Sequence, residues 1–520
     1  MGPYLPDSVR RHAMLRPQAP AITEAGETLS YGSLDTRSNK IAQALLSAGL
    51  GTGARVGCLV RPGRLSAELL LACAKAGLVL APLNWRLVER ELTAVARDAQ
   101  LEVVVTQEEF LPGARAVRGA ISGLRVVTTG EPAPDESAYE AWLEAAPDID
   151  PGRGGESDAH MVFLQLYTSG TTGRPKGVQL TLENLHAGEI QAAELGWSED
   201  SVSLNAMPVF HVAGTGWLAT ALGAGAHTVA LPDLVPQRVV DVLESERVTH
   251  VLFVPAVLQM LTQLPGIRER DFSALRLIVY GASPITPALL RRSMEIFGCD
   301  FCQRYGQTET TGCVTRLLPV DHDADGPRAH LLRSAGNTSS DVDLVIADLA
   351  TGKPVPAGTV GEILTRSHHV TPGYWRRAEE NGELFTDEGW LRTGDAGYVD
   401  EEGYLFITDR IKDMVITGGE NVYPIEVESA LAEHPAVRDV AVFGTPDERW
   451  GEAVTAAVVL NADAAGTTEA ELIDFTRARI ASYKKPRVIH FVDELPRNPT
   501  GKVLKHVLRK DLAKGGSGMQ

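Results

Sequence analysis

The chain has 520 residues, of which 44% are hydrophobic and 22% are charged. This composition is typical of a soluble globular protein, and the length exceeds what one core usually supports, so we expect roughly two to four domains. The 49 basic and 67 acidic residues give a net charge of −18, which disfavours nucleic acid or an anionic membrane surface as a partner. An anionic ligand would need a local basic patch.

Residues 1–14 lack the apolar run of a secretory signal. Five cysteines are too few for a disulfide framework in so long a chain, which favours a reducing compartment. The most apolar stretch, 69–83, is interrupted by Lys75 and is too short to cross a bilayer. It predicts a buried helix followed by a strand. We therefore expect a cytoplasmic protein without integral membrane association.

Strand-like and helical segments alternate through the first two thirds of the chain. The β-branched runs lie at 101–105, 161–166, 250–255 and 275–281, and the helical segments include 239–247 and 287–297. Alternation of this kind predicts an α/β protein with largely parallel sheets. Segment 111–158 is rich in Gly, Pro, Ala and acids and is weakly periodic, so we expect a surface excursion there. The CxxC spacing of Cys299 and Cys302 is explained better by an alternating strand than by a metal or redox site.

The sequence pattern changes after about residue 340, where Gly and Pro turns break up short strands and predict an antiparallel module. A hairpin with an acidic turn is predicted at 397–407, and the C-terminal part follows the order β-α-β-β-α-β. We expect a large domain over 1–408, a junction at 409–413 and a smaller domain over 414–514. Residues 515–520 are expected to be disordered.

Residues 167–177 read YTSGTTGRPKG, a glycine- and hydroxyl-rich string that follows a predicted strand. Backbone N–H groups in such a loop can converge on an anion, and glycines permit its close approach. The string departs from the Walker pattern, which requires glycine at Pro175 and Ser or Thr at Gly177. A polar turn without a ligand is the alternative. The candidate phosphate-binding residues are Thr168, Ser169, Gly170, Thr171, Thr172, Gly173 and Lys176.

Four further strings accompany this loop. They are RYGQTET at 304–310, WLRTGD at 390–395, DRIKDMVITGGEN at 409–421 and PRNPTGK at 496–502. Together the five strings resemble the adenylate-forming superfamily, which contains acyl-CoA synthetases, luciferases and the adenylation domains of peptide synthetases. The resemblance covers almost the whole chain. It implies an α/β fold whose large domain has two α/β subdomains and a β-barrel-like subdomain, followed by a small mobile α+β domain.

The resemblance also implies a two-step reaction that uses ATP, Mg²⁺ and CoA. A carboxylate attacks the α-phosphate to give an acyl-adenylate and pyrophosphate, and a thiol then displaces AMP. Lys502 is the implied positive charge at the α-phosphate in the first step. Glu309 is the implied Mg²⁺ ligand, helped by the hydroxyl of Thr168. The small domain would rotate at Lys412 between the two steps.

The same resemblance assigns the nucleoside contacts. Tyr305 is expected to stack on adenine, Asp395 to accept the ribose hydroxyls, and Arg410 to reach the ribose or a phosphate. Taken singly, each residue has an ordinary structural explanation, but the ordered set favours a site. The remaining candidates for nucleotide binding are Gly281, Ala282, Ser283, Gly306, Gln307 and Thr308.

The expected CoA contacts lie in the small domain. Gly418 and Gly419 would line the pantetheine tunnel, since glycine lets a slender chain approach the backbone. Trp450 would either pack on the pantetheine arm or belong to the core. Lys484 begins a segment, 484–510, with eight basic and two acidic residues, which predicts the local patch for a polyanionic thiol.

The acid is less well specified. His211, in MPVFHVAG, is expected at the substrate gate, with a buried core histidine as the alternative. No acid follows it to bind an amino group, and no cation occurs over 205–225 to bind a second carboxylate. A hydrophobic acid is therefore favoured: a medium or long fatty acid, an alicyclic acid or an aromatic acid. The small residues predicted to line its pocket are Ala213, Gly214, Gly216, Ser283 and Gly312.

CoA is favoured as the acceptor because 340–409 shows no insertion that would hinder domain rotation. An adenylating enzyme that loads a separate carrier protein, or that acts as an oxygenase, is the alternative on the same fold. A non-catalytic nucleotide- or acyl-binding regulator is the alternative of another class. The expected partners are small molecules, and the sequence leaves the oligomeric state open, a homodimer included.

Overall fold

The computed structural model describes residues 3–168, 175–417, 420–447, 449–462, 464, 466–497 and 503–515. Side chains are described throughout these ranges except for 187–192, 421 and 513–515. Of the tail expected to be disordered, 516–520 lie outside the described residues, and residue 515 instead closes the last helix.

Helices and strands alternate along most of the chain. In chain order, the helices are α1 (Leu5–Leu15), α2 (Tyr31–Ser47), α3 (Arg64–Ala76), α4 (Glu89–Ala99), α5 (Leu111–Ala120), α6 (Tyr139–Glu144), α7 (Leu182–Glu194), α8 (Val212–Gly223), α9 (Pro236–Ser245), α10 (Pro255–Leu261), α11 (Pro287–Phe297), α12 (Ala378–Leu384), α13 (Pro424–Ala432), α14 (Glu469–Arg477) and α15 (Lys505–Gly515). The strands are β1 (Pro20–Glu24), β2 (Glu27–Ser30), β3 (Arg55–Leu59), β4 (Val79–Pro82), β5 (Leu101–Thr106), β6 (Arg125–Thr128), β7 (Ser137–Ala138), β8 (Val162–Thr168), β9 (Lys176–Thr181), β10 (Val202–Asn205), β11 (His227–Ala230), β12 (His250–Phe253), β13 (Leu277–Gly281), β14 (Asp300–Tyr305), β15 (Thr315–Leu317), β16 (Val342–Ala347), β17 (Gly361–Ser367), β18 (Gly373–Tyr374), β19 (Leu391–Val399), β20 (Leu405–Arg410), β21 (Val415–Thr417), β22 (Glu420–Val422), β23 (Val437–Asp447), β24 (Gly451–Leu460) and β25 (Val488–Phe491).

Two eight-stranded sheets form the bulk of the large domain. The first has the order β18-β9-β8-β4-β3-β5-β6-β7, and the second has the order β15-β14-β13-β12-β10-β11-β1-β2. The strands from β8 to β7 in the first sheet and from β14 to β1 in the second are parallel to their neighbours. The predicted α/β class with largely parallel sheets is thereby confirmed. Because the chain leaves parallel strands at their carboxyl ends, the loops there form the usual ligand crevice.

Segment 111–158 is not the surface excursion that the composition suggested. It contains α5, β6, β7 and α6, and β6 pairs in parallel with β5. Val126 and Val127 of β6 are buried, and Val117 of α5 packs in the same core cluster as Val126. The prediction was wrong because β6 is only four residues long, and its burial depends on neighbours distant in sequence rather than on its own periodicity.

The third sheet is antiparallel, with the order β16-β17-β19-β20. It corresponds to the subdomain expected to be barrel-like. The predicted hairpin at 397–407 is present, since β19 and β20 pair in antiparallel register on either side of the acidic turn. Ile346, Ile363 and Leu405 fill the centre of this module. Its last strand carries the chain directly into the small domain.

The small domain contains a mixed sheet of β22, β21, β24 and β23, with β25 parallel to β24. Its helices α13, α14 and α15 supply the remaining core, and the predicted order of elements is observed. Pro424 occupies the first turn of α13, where the missing N–H of proline has no cost. The domain limits at 408 and 414 stay a prediction.

The junction contains a buried carboxylate. Asp409, near the end of β20, accepts hydrogen bonds through Oδ2 from the backbone N–H of Ile425, at 3.0 Å, and through Oδ1 from that of Arg410, at 2.6 Å. The ammonium of Lys505 in α15 lies 2.9 Å from Oε1 of Glu428 and 3.9 Å from Asp409 Oδ2. Burial raises the pKa of Asp409 to about 6, Lys505 lowers this pKa and Glu428 raises it. The expected junction therefore contains a carboxyl group that binds a proton more tightly than an exposed aspartate does.

None of the helices in the described ranges is both long and apolar enough to cross a membrane. None of the five cysteines, all of which lie in the described ranges, forms a disulfide bond, and Cys302 lies within β14, as the alternating pattern predicted.

Candidate active site

The phosphate-binding candidates lie at the end of a β-hairpin. Strands β8 and β9 are antiparallel, and Thr168 is the register partner of Lys176. Leu164 and Leu166 of β8 are buried, so the hairpin is fixed in the core up to the pair Thr168 and Lys176. Thr168 and Lys176 are thereby brought together. The other loop candidates, Ser169, Gly170, Thr171, Thr172 and Gly173, lie outside the described residues.

Glu309 lies beside this hairpin. It belongs to a short 3-10 turn, Thr308–Thr310, that contacts β9, and it is only 8% exposed. The hydroxyl of Tyr374 donates a 2.8 Å hydrogen bond to Oε1 of Glu309. The ammonium of Lys176 lies 4.9 Å from the centroid of the same tyrosine ring. One aromatic side chain thus contacts both the predicted metal ligand and the predicted phosphate lysine.

The predicted donor set suits a magnesium ion that is held mainly by nucleotide phosphates. It consists of one carboxylate, Glu309, and one hydroxyl, Thr168. No group of three or more His, Cys, Asp or Glu able to hold a metal occurs in the described part of the chain. Mg²⁺ suits so sparse a set, because it usually keeps several waters and takes one or two carboxylates plus substrate phosphates.

A second carboxylate, Asp395, is held between two polar groups. Tyr305 at the end of β14 donates its hydroxyl to Oδ2 of Asp395 at 2.8 Å, and Nε of Arg410 lies 2.6 Å from Oδ1. Asp395 is 6% exposed, and burial together with Asp395 raises the pKa of Tyr305 well above its usual value. Gln307 also reaches this strand, through a bond from Nε2 to the carbonyl of Thr393. Tyr305, Gln307, Asp395 and Arg410 therefore form one cluster.

The remaining nucleotide candidates are at the carboxyl ends of neighbouring strands. Gly281 ends β13, followed by Ala282 at φ 65° and Ser283, and β14 leads directly to Gly306. A Cβ at Gly281 would lie 2.3 Å from the carbonyl oxygen of Arg304, and one at Gly306 would lie 2.5 Å from the backbone of Gly312. Both positions require glycine because backbone is packed directly against them. Thr308 opens the turn that carries Glu309.

His211 is the residue immediately before α8, at the carboxyl-end loop of β10. Its Nε2 is buried without a hydrogen-bond partner, and its ring packs against Phe210 at 4.6 Å in an edge-on arrangement. Burial, and secondarily the charge of Arg86, lower the pKa of His211 to about 4, so the imidazole is neutral near pH 7. Val212, the next residue, would contact a Cβ at Gly312 at 3.5 Å. The start of α8 therefore lies against the loop that carries Glu309.

Lys502, Gly418 and Gly419 lie outside the described residues. Trp450 is half-buried and is not part of the hydrophobic core of the small domain. The guanidinium carbons of Arg487 and Arg449 lie 4.2 Å and 4.9 Å from its ring centroid. The ring is therefore bracketed by cations rather than packed in apolar surroundings.

Four of the eight basic residues in the segment expected to bind CoA form ion pairs with acids among the described residues. Lys484 contacts both carboxylate oxygens of Glu426 at 2.7 Å. Further pairs join Lys505 to Glu428, Arg497 to Asp439 and Arg509 to Asp413. The number of basic residues overstated the free positive charge of this segment, because it ignored carboxylates contributed by α13, by β23 and by the turn Ile411–Asp413.

Two family models match the chain, one for each domain. Residues 9–375 match the family described as AMP-binding enzyme, and residues 426–502 match the AMP-binding enzyme C-terminal domain. The chain belongs to the AMP-binding enzyme family. It is an AMP-forming acid–thiol ligase of the adenylate-forming superfamily, in which the AMP-forming CoA ligases use ATP, Mg²⁺ and CoA.

Several relatives within the AMP-binding enzyme family are similar over nearly their whole length. A fatty acid–[acyl-carrier-protein] ligase, ScoC, from Streptomyces coeruleorubidus is 38% identical over 96% of this chain and 94% of its own. An indoleacetate–CoA ligase from Aromatoleum aromaticum is 36% identical over 98% of each chain. The ATP-bound structure of MatB from Rhodopseudomonas palustris has a TM-score of 0.87 at 32% identity, covering 97% of this chain and 98% of that one.

Two groups of residues beside the candidate site of this AMP-binding enzyme were not predicted from the sequence. Tyr374 is separated from the other motifs, although the aromatic pair in PGYW between two predicted strands could have drawn attention to it. Trp85 and Arg86 follow β4, and the Arg86 guanidinium carbon lies 4.3 Å from the Trp85 ring centroid and 5.8 Å from that of Phe210. Arg86 forms no ion pair with the described residues. A cation therefore does approach His211, but from the other sheet.

Proposed function

We propose that the chain activates a hydrophobic monocarboxylic acid as its acyl-adenylate and transfers the acyl group to CoA. The observation that carries the substrate class is the start of α8, where a neutral His211, without a hydrogen-bond partner at Nε2, is followed by small residues and, within α8, by no charged side chain. An amino acid would need a carboxylate here. A fatty, alicyclic or aromatic acid needs only apolar surface and room for its carboxylate.

The proposed first half-reaction uses the residues around the two buried carboxylates, Glu309 and Asp395. Lys176 and the loop before it would hold the β- and γ-phosphates, which leave as pyrophosphate. Asp395, fixed by Tyr305 and Arg410, would accept the ribose hydroxyls. Lys502 would neutralise charge at the α-phosphorus as the substrate carboxylate attacks it. Bound Mg²⁺ would supply additional charge neutralisation on the phosphates, next to Glu309 and Thr168.

The second half-reaction would use the small domain in a different orientation. Asp409 lies before the expected hinge at Lys412, whereas its partners Ile425 and Lys505 lie after it. A rotation at Lys412 would break these contacts and bring residues 418–421 to the crevice. Trp450, bracketed by Arg449 and Arg487, is the proposed contact for the pantetheine arm. Lys484 could serve a CoA phosphate only after leaving Glu426.

A carrier protein is the second candidate acceptor. It is favoured by the similarity to a fatty acid–[acyl-carrier-protein] ligase over 96% of the chain, and by the extent to which the basic segment is already paired. CoA remains the leading proposal because aryl- and fatty-acid–CoA ligases are among the relatives of similar coverage. We also propose action in the cytoplasm, which suits five cysteines without a disulfide bond. We propose a homodimer as the oligomeric state, and sedimentation analysis would test it.

An acid panel tests the proposal. Purified chain would be supplied with ATP, Mg²⁺ and fatty, aromatic, amino and dicarboxylic acids, and pyrophosphate release would be measured. The productive acids would then be offered with CoA or with a phosphopantetheinylated carrier protein, and thioesters detected by mass spectrometry. Turnover confined to apolar monocarboxylates, with an acyl-CoA product, is expected. Pyrophosphate release without any acyl-CoA, together with a loaded carrier, would transfer the assignment to the second candidate.

A further inference from the structure

The segment 371–375 connects strand β9, which begins with Lys176, to the turn that carries Glu309, although it is remote from both in sequence. Its two-residue strand β18 adds to the edge of β9, with Tyr374 as the register partner of Val178. The backbone N–H of Trp375 donates to the carbonyl of Gly177 at 2.8 Å. The hydroxyl of Thr371 donates to the carbonyl of Gln179 at 2.5 Å. The segment is thus bonded along the strand that begins with Lys176.

The same segment is bonded to the turn that carries Glu309. The backbone N–H of Thr371 donates to the carbonyl of Glu309 at 2.8 Å, and the hydroxyl of Tyr374 donates to its carboxylate at the same distance. Both side chains are largely buried, at 9% exposure for Tyr374 and 8% for Glu309. A carboxylate that accepts a hydrogen bond from a buried, rigid donor has a restricted orientation.

The backbone of Tyr374 is held by the side chain of Asn381. Asn381 in α12 accepts the backbone N–H of Tyr374 through Oδ1 at 2.7 Å and donates through Nδ2 to the carbonyl of Tyr374 at 3.0 Å. The ring face is in contact with the ammonium of Lys176, 4.9 Å from the centroid. The hydroxyl and the ring face therefore hold two different functional side chains at once.

We propose that Tyr374 is a positioning residue that sets the orientation of the Glu309 carboxylate relative to Lys176, so that magnesium and the β- and γ-phosphates are bound together rather than separately. The inference rests on the proposed nucleotide site, but it does not depend on which acid or thiol is used. Tyr374 touches neither reacting atom and acts through its two neighbours.

The test measures nucleotide binding without turnover. ATP is titrated into the full chain by isothermal titration calorimetry, without any acid, in EDTA and in excess Mg²⁺. Tyr374→Phe keeps the ring, so ATP affinity in EDTA should stay within twofold of wild type. The increase in ATP affinity produced by Mg²⁺ should fall about tenfold, because a hydrogen bond to a charged group is lost. Tyr374→Leu should also weaken binding in EDTA, because the Lys176 contact is lost.

Three controls separate positioning from a general loss of stability. Tyr404→Phe removes a comparable buried bond, 2.8 Å from its hydroxyl to Oδ1 of Asp321, and should leave the magnesium-dependent gain unchanged. In a Glu309→Gln background, Tyr374→Phe should have no further effect. Asn381→Ala, which frees the backbone of Tyr374 without altering its ring, should reduce the gain in the same direction and serves if Tyr374→Phe fails to fold.

Two results would overturn the positioning role. One is a magnesium-dependent increase in ATP affinity that is as large in Tyr374→Phe as in wild type. The other is that Tyr374→Phe reduces this increase as much in the Glu309→Gln background as it does in the wild-type background. If wild-type chain bound no ATP at all, the proposed function would fail instead. The two failures are therefore distinguishable.

Discussion

Arg410 and Asp395 are register partners on β20 and β19, and their side chains form an ion pair with Nε 2.6 Å from Oδ1. The strand register and the ion pair therefore join the same two residues. Tyr305 occupies the other oxygen, so the carboxylate has little freedom to rotate. Its proposed role toward the ribose depends on this restriction, because a preorganised acceptor loses less entropy when the nucleotide binds.

Substituting Asp395→Asn should weaken ATP binding. The amide keeps the shape but loses the charge that strengthens the ribose contacts, and hydrogen bonds to charged groups are worth about 1.5–3 kcal/mol. KM for ATP should rise by roughly one to two orders of magnitude in pyrophosphate exchange. Asp343→Asn, which affects an exposed pair with Arg366 on the same sheet, is the matched control and should leave KM unchanged. An unaltered KM in Asp395→Asn would remove this residue from the nucleotide site.

Lys502→Ala should separate the half-reactions. Removing a charge partner of the transition state costs orders of magnitude in rate, so acid-dependent pyrophosphate exchange should nearly disappear. Formation of the thioester from supplied acyl-AMP and CoA should be largely retained, because Lys502 would then have moved away. Lys510→Ala, in the same basic segment, should affect neither step. Equal loss of both steps in Lys502→Ala would contradict the proposed domain rotation.

His211 should contribute an acid-sensitive loss of stability. Its pKa is lowered to about 4, so the folded state resists protonation that the unfolded chain accepts near pH 6.5. The wild-type chain should therefore lose stability relative to His211→Phe as pH falls from about 6.5 towards 4, and the two should differ by a constant amount above pH 7. Thermal denaturation at pH 7.5 and 5 would measure this, with the exposed His160→Gln as control. The same variant should change KM for the acid and not for ATP.

Asp409 should act in the opposite direction on the pH axis. Its pKa is raised from an ordinary value of 3.8 to about 6, so the folded state binds the proton more tightly than the unfolded chain. Wild type should lose about 2 kcal/mol relative to Asp409→Asn as pH rises from 4 to 7, and nothing further above pH 7. The asparagine Oδ1 can still accept the N–H of Ile425. Parallel denaturation curves whose separation is independent of pH would show that this carboxyl has an ordinary pKa.

The elements that could be predicted from the sequence are those with clear end signals and a regular apolar spacing of their own. Helix α11 spans 287–297 as expected, because Pro287, its apolar spacing and Gly298 define both ends. Strand β6 was missed because four residues carry no usable period, and its core contacts come from β5 and α5. Local sequence signals are sufficient to predict α11, whereas β6 depends on tertiary packing.

The site shows the same division. Glu309, Asp395 and Arg410 lie within strings specific enough to be found without a structure, and the structure brings Asp395 and Arg410 into direct contact. Tyr374, Trp85 and Arg86 lie outside those strings, and their contacts with Glu309 and Phe210 join residues remote in sequence. The free charge of the segment 484–510 was overestimated for a related reason, namely that its acidic partners lie in other elements.

The edge position of β18 has a consequence for how the chain is made. The Gln179 amide bonds to the carbonyl of Gly373, a residue 194 positions later. Until that residue leaves the ribosome, β9 presents an uncovered row of peptide groups, and unprotected edges of this kind are templates for pairing with other chains. Nascent fragments that stop short of residue 371 should therefore be the aggregation-prone species during synthesis, even though every other strand of the two large sheets has already been translated.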